Sequence, residues 1–215
     1  MHFVDDSEVN RVLTFPILIE AIEAAARTAR AVGTQTSLGE RGRSIVSVAL
    51  DLADDVTDGD VEIRALGGSW LTGAATVADA VDALLAQLDT DGYVAVMAYL
   101  DRDEHAELAE VATKIADRTG RPTTFGWGPR FLHSTGQFHK GGTPVGSFLQ
   151  ITAASDTDLD IPGGDFTFGE LLAAQATGDA QVLAGLDRPV LRLHALTDAG
   201  YAAVIEALQL PENAA

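Results

Sequence analysis

The run Val94-Ala95-Val96-Met97-Ala98-Tyr99-Leu100 is apolar at every position and lies between two segments of helical spacing. A strand exposed on one face alternates apolar and polar side chains, so an unbroken apolar run of this length belongs to a strand covered on both faces. Such strands occur in parallel sheets whose crossover helices pack on each side, and the flanking segments supply the helices. Before the run, Thr76 stands as an N-cap ahead of Val77, Val81, Leu84, Leu85 and Leu88. After it, Asp101 or Asp103 offers a cap for a helix carrying Leu108, Val111, Ala112 and Ile115, which stops at Gly120.

The same alternation extends in both directions. Val61 to Leu66, Pro122 to Phe125, Ser147 to Thr152 and Val190 to His194 read as further strands. Helices are expected from about Phe168 to Thr177, from Asp179 to Leu186 and from Gly200 to Leu208. This order predicts an α/β fold: an open, largely parallel, doubly wound sheet with helices on both faces. Asp54 to Asp60 reads as a turn in which Asp58-Gly59 suits a hairpin. Its spaced aspartates also resemble a calcium loop, but no glutamate follows at the required position. Ser7 to Val32 carries a helical pattern, broken in two by Pro16, and Gly33 to Arg43 reads as a linker. The expected organisation is an N-terminal helical appendage and linker at 1-43, an α/β domain at 44-210 that opens with the apolar run Ile45 to Leu52, and a frayed tail at 211-215.

Composition narrows the chemistry. There is no cysteine among the 215 residues, which excludes disulfides, thiolate catalysis and cysteine-ligated metal. A formal net charge of -18 repels phosphate backbones and anionic lipid, so neither nucleic acid nor membrane is an expected partner. No apolar run approaches a membrane span and no signal peptide precedes the first helical pattern, so a cytoplasmic location is expected.

Against that background the stretch from Gly126 to Gly142 stands out, because it holds two of the five histidines and one of the two lysines. It follows the expected strand at Phe125, and ligands of doubly wound sheets gather at the carboxyl ends of strands. Gly126, Gly128 and Gly136 permit tight turns and close approach to a ligand, and Ser134, Thr135 and Gln137 add hydrogen-bonding groups. Arg130 is suited to an anion, and Lys140 to donating a proton or stabilising negative charge. The plain alternative is a polar turn between two strands whose groups satisfy one another. His133 and His139 lack a third ligand at a recognised spacing, so no metal site is expected. His194 reads as a satisfied core histidine, and His105 as a solvated helix residue.

Gly126-Trp127-Gly128-Pro129-Arg130-Phe131-Leu132-His133-Ser134-Thr135-Gly136-Gln137-Phe138-His139-Lys140-Gly141-Gly142, followed by Gly146 to Thr152, resembles the C-terminal sugar-isomerase (SIS) domain of phosphoglucose isomerase, in its actinobacterial and transaldolase-fusion form. A second block, Phe166-Thr167-Phe168-Gly169 through Gly178-Asp179, extends the resemblance, which spans about Asp89 to His194. The resemblance implies aldose–ketose isomerisation of glucose-6-phosphate as part of glycolysis and gluconeogenesis, without a cofactor. It casts Lys140 and His133 as catalytic and Arg130, Ser134, Thr135, Gln137 and His139 as sugar-phosphate contacts. The first SIS domain and the proton-transfer glutamate are not identifiable, so the missing half would come from a homodimer or a partner chain. The alternative it leaves is a non-catalytic module that binds a sugar phosphate or docks on a partner. Gly67-Gly68-Ser69 is a fainter echo of a phosphate loop. Phe3 to Ala21 also resembles the opening of ornithine cyclodeaminase-type proteins, and carries less weight than a packing or oligomerisation helix.

Overall fold

The computed structural model describes residues 54–155, 157–162 and 166–209, with side chains from residue 56 onward. The expected N-terminal helix and linker, the run Ile45 to Leu52 and the tail at 211-215 lie outside the described residues.

Among the described residues six strands form one sheet: β1 (Asp54–Asp58), β2 (Val61–Leu66), β3 (Tyr93–Tyr99), β4 (Thr123–Trp127), β5 (Gly146–Ala153) and β6 (Val190–Ala195), in the order β1-β2-β6-β5-β3-β4. β6, β5, β3 and β4 run parallel, while β2 pairs antiparallel with both β1 and β6. Among the described residues there are five α-helices: α1 (Val77–Leu85), α2 (Val111–Thr119), α3 (Thr135–Gly141), α4 (Phe168–Ala184) and α5 (Asp198–Leu208). The α/β architecture read from the sequence is the one observed. Among the described residues no helix is long and apolar enough to cross a membrane.

Every residue of β3 is buried, and its alternate side chains feed two cores. Val94, Val96 and Ala98 join Val61, Ile63, Leu149, Ile151, Leu191 and Leu193 beneath α1, α2 and α5. Tyr93, Ala95, Met97 and Tyr99 point the other way, with Phe148 and Val190, toward Phe131 and Leu132 and toward Ala176, Ala180 and Leu183 of α4. Full burial of a Val, Leu or Ile side chain contributes about 1.5–3 kcal/mol. α1 begins as predicted at Thr76, whose hydroxyl accepts from Asp79 N while Asp79 accepts from the Thr76 amide.

Three expectations differ from the structure. Asp54 to Asp58 is a strand, not part of a turn; only Gly59 and Asp60 turn, with Asp58 paired to Val61 and Gly59 at φ 54°. An edge strand tolerates polar side chains facing solvent, which is why the aspartates disguised it. Neither Asp101 nor Asp103 caps a helix: Asp101 accepts from the amides of Asp103 and Glu104 in a local turn, and a 3-10 turn at Ala106–Glu110 precedes α2. Gly120 ends α2 in the left-handed conformation as expected, at φ 63°. The two helices expected either side of Gly178 are one, α4. An interior glycine weakens a helix by about 1 kcal/mol relative to alanine. Here Ala174, Ala176, Ala180 and Leu183 are buried along with it, and their packing carries the helix through.

The chain leaves β3 outward to the edge strand β4 but leaves β5 in the opposite direction to β6. That reversal makes the carboxyl ends of β3 and β5 the topological switch point, the position at which doubly wound sheets take ligands.

Candidate functional site

β4, the parallel neighbour of β3, delivers the Gly126 stretch at the same carboxyl end of the sheet. After Trp127 the Gly128-Pro129 bond is cis, Arg130–His133 form a short 3-10 turn, and α3 follows. The glycines serve packing rather than ligand approach. A Cβ on Gly128 would lie 2.5 Å from the Tyr99 ring, one on Gly126 3.0 Å from Phe131, and one on Gly136 3.0 Å from the Phe131 carbonyl. The turn is thereby wrapped around two aromatic side chains that meet edge to face, with ring centroids 5.7 Å apart.

The seven residues singled out in the sequence separate into two groups. Arg130, His133, Ser134 and Thr135 are exposed together on the turn. Ser134 Oγ donates to the Phe131 carbonyl at 3.2 Å. Gln137, half-buried, donates from Nε2 to the Leu132 carbonyl at 2.8 Å and so braces the turn from within. His139 and Lys140 are carried by α3 into the layer beneath. His139 is buried, its Nδ1 3.0 Å from the Tyr93 hydroxyl and its ring 5.3 Å from that of Phe148. Burial, with Lys140 and Arg188 nearby, pulls its pKa from 6.5 down to about 4, so it is neutral at pH 7.

Lys140 Nζ lies 2.5 Å from Asp179 Oδ1, and the Tyr99 hydroxyl donates to Asp179 Oδ2 at 3.1 Å. The Lys140 side chain is 15% exposed and that of Asp179 1%. Burial pushes the Asp179 carboxyl up against the opposing pull of Lys140 and Tyr99. Burial and the Asp179 charge together push the Tyr99 phenol well up. Three elements, β3, α3 and α4, therefore meet at one buried carboxylate.

Asp179 and Tyr99 escaped the sequence reading, as did a polar row on the same face of the sheet. Arg64 of β2 stands opposite Arg192 of β6, which stands opposite Gln150 of β5. All three are buried under α4. Arg192 donates from Nη1 to Thr177 Oγ1 at 3.1 Å, and Gln150 from Nε2 to the Ala176 carbonyl at 2.8 Å. The only sequence signal was parity: each residue lies two positions from others on the same face, which a strand with one wet face would also show. His194 is half-buried with Nδ1 2.9 Å from Thr152 Oγ1. His105 is half-buried too, rather than solvated, with its ring 4.3 Å from that of Tyr201.

Gly67 and Gly68 belong to the opposite edge. β2 runs against β6, so the loop after Leu66 sits beside Val190 at the amino end of the parallel strands. Gly67 adopts φ 78° with the Arg188 carbonyl where a Cβ would be, and Trp70 Nε1 donates to the Leu66 carbonyl at 3.0 Å. The loop fastens β2 to the start of β6, and the sheet separates it from the exposed turn at the carboxyl ends.

No family model matches the chain. Among curated proteins it is similar to glutamyl-tRNA reductase of Kocuria rhizophila, 76% identical over 45 residues, which are 21% of this chain and 10% of the relative. The enzymes of the same name from Paenarthrobacter aurescens and Renibacterium salmoninarum match at 58% over 43 residues and 59% over 44, covering 20% and 19% of this chain and 10% of each relative. The chain thus spans about a tenth of the length of these curated relatives. Among solved structures, a hypothetical protein from Thermus thermophilus matches with a TM-score of 0.46 and 16% identity, over 90% of this chain and 42% of that one. At that score the likeness carries no argument.

These findings overturn the phosphoglucose isomerase resemblance. The relatives that match bear another name, and nothing in the comparisons supports a SIS domain. Aldose–ketose isomerisation, its sugar-phosphate-binding alternative and the glycolytic setting are withdrawn with it. The physical reason lies in the block that carried the likeness: Gly126 and Gly128 lie against the rings of Phe131 and Tyr99, and Gly136 and Gly142 against the carbonyls of Phe131 and Phe138, so packing accounts for much of the pattern.

Proposed function

We propose that the α/β unit binds a small anionic molecule at the carboxyl ends of the parallel strands, with Arg130 supplying charge and His133, Ser134 and Thr135 hydrogen bonds. One observation carries this reading: Arg130 is exposed just past the carboxyl end of β4 and makes no ion pair among the described residues, in a chain of net charge -18. An unpaired guanidinium recognises carboxylate or phosphate oxygens in a bidentate manner, and three further polar side chains share its turn. Gln137 and the Lys140–Asp179–Tyr99 cluster act as positioning groups, holding the turn and α3 against the sheet.

The name of the matched relatives is not extended to this chain. The matched segment is a tenth of each of them, and a strongly acidic chain repels a tRNA backbone. Nucleic acid and membrane are no part of the reading.

The test is site-resolved. Inorganic phosphate and, separately, malonate are titrated into the full chain while amide NMR shifts are followed. Saturable shifts at Arg130 to Thr135 that disappear in Arg130→Ala are expected, with folding unchanged because an exposed side chain contributes within about 0.5 kcal/mol. Amides of the turn that stay still with both probes refute the proposal.

A further inference from the structure

Arg192 is the largest of the fully buried side chains, at 1% exposure. Its partners do not match its charge. Nη1 meets the neutral Thr177 hydroxyl, and Nε has no hydrogen-bond partner. Across the pleat stands a second cation, Arg64, with Glu62 3.7 Å from its guanidinium. The Asp179 carboxylate is engaged by Lys140. Among the described residues, then, Glu62 is the carboxylate whose charge reaches Arg192, and its ion pair is with Arg64 rather than with Arg192. Burial and then the Arg64 charge lower the Arg192 pKa to about 10, which leaves it protonated at pH 7. Glu62 opposes that shift from a distance, but a buried charge without a hydrogen-bonded counter-ion is disfavoured by several kcal/mol. On the other flank, Gln150 Oε1 is a buried acceptor without a donor; its amide orientation is fixed because Nε2 donates to the Ala176 carbonyl.

We propose that the row Arg64, Arg192, Gln150 under α4 is an internal site for an oxyanion that carries a hydroxyl hydrogen, such as hydrogen phosphate, free or as the terminal group of a small molecule. The guanidinium Nε–H of Arg192 donates to one anionic oxygen, and the anion's own hydroxyl donates to Gln150 Oε1. The negative charge of the anion answers that of Arg192. The Gln150 acceptor gives the site a specificity: sulfate has the charge and shape but at neutral pH no hydrogen to donate, so it leaves the carbonyl unpaired.

This site is separate from the Arg130 turn, and the experiment keeps them apart by using the Arg130→Ala chain throughout. Calorimetric titration at pH 7 and constant ionic strength compares inorganic phosphate and sulfate. Saturable phosphate binding at least tenfold tighter than sulfate is expected. Methyl phosphate is compared at about pH 5, where most of it keeps one hydroxyl hydrogen: binding as tight as that of phosphate at the same pH identifies a terminal phosphate group as the source, and failure to bind there identifies the free ion. In Arg192→Gln the phosphate signal is lost, and in Gln150→Leu, a volume-conserving change, the preference for phosphate over sulfate collapses. If Arg192→Gln does not fold, the Gln150→Leu comparison decides. No saturable binding of phosphate, equal binding of phosphate and sulfate, or an undiminished preference in Gln150→Leu overturns the proposal.

Discussion

Lowering the pH from 7 to 5 tests the buried layer through His139. Its pKa is about 4 in the folded protein against 6.5 when unfolded. A depressed folded pKa means that the unfolded chain takes up the proton first. The stability tied to neutral His139 is therefore complete above pH 6.5 and is lost as the pH falls toward 4. At 1.36 kcal/mol per pH unit, the loss is about 2 kcal/mol between pH 7 and pH 5 and reaches about 3 kcal/mol below pH 4, both upper figures. The Tyr93 phenol facing the ring does not blur this window, because burial raises it above its ordinary pKa and it stays neutral throughout. Every other titrating group, Asp179 included, is cancelled by comparison with His139→Phe, which keeps a ring against Phe148 and Tyr93. Urea unfolding at pH 7 and pH 5 is the assay. Wild type should lose about 2 kcal/mol more than His139→Phe over that interval. The variant itself starts lower at pH 7, by about 1–3 kcal/mol, because the Tyr93 hydroxyl loses its partner. Parallel pH dependences in the two proteins refute the assignment of a buried neutral histidine.

Two further predictions concern the same layer. Asp179→Asn leaves Lys140 without its counter-charge and should lower urea stability by about 3 kcal/mol, the low end for a broken buried pair because Lys140 keeps some exposure; the double change to Asp179→Leu with Lys140→Met should recover most of that loss, and no recovery contradicts the ion-pair account. Gly128→Ala places a methyl 2.5 Å from the Tyr99 ring and should cost about 1–3 kcal/mol, seen as a lowered thermal midpoint, whereas an unchanged midpoint would show that the turn does not depend on that contact.

The likeness to an isomerase shows how far a motif can be read. Glycines at 126, 128 and 136 are equally the mark of a ligand loop and of a backbone pressed against aromatic rings. The two readings differ only in which side chains arrive from β3 and from the following turn. Lys140 was visible as an unusual cation, but its ion pair was not, because Asp179 is thirty-nine positions away in a helix whose facing residues depend on where it packs. The exposed group Arg130, His133, Ser134 and Thr135 was legible, since adjacent residues on one short turn stay together whatever the rest of the chain does.

The sequence alone determined the fold class and most of the elements. Unbroken apolar runs such as Val94 to Leu100 demand cover on both faces, and helix periodicity with local caps such as Thr76 needs no distant partner. Tertiary structure decided what lies over each face. Alternation in β2, β5 and β6 says that Arg64, Gln150 and Arg192 share a side, but solvent and a covering helix leave the same alternating pattern. Only the strand order and the passage of α4 across that side turned a row of polar residues into a buried, charged layer.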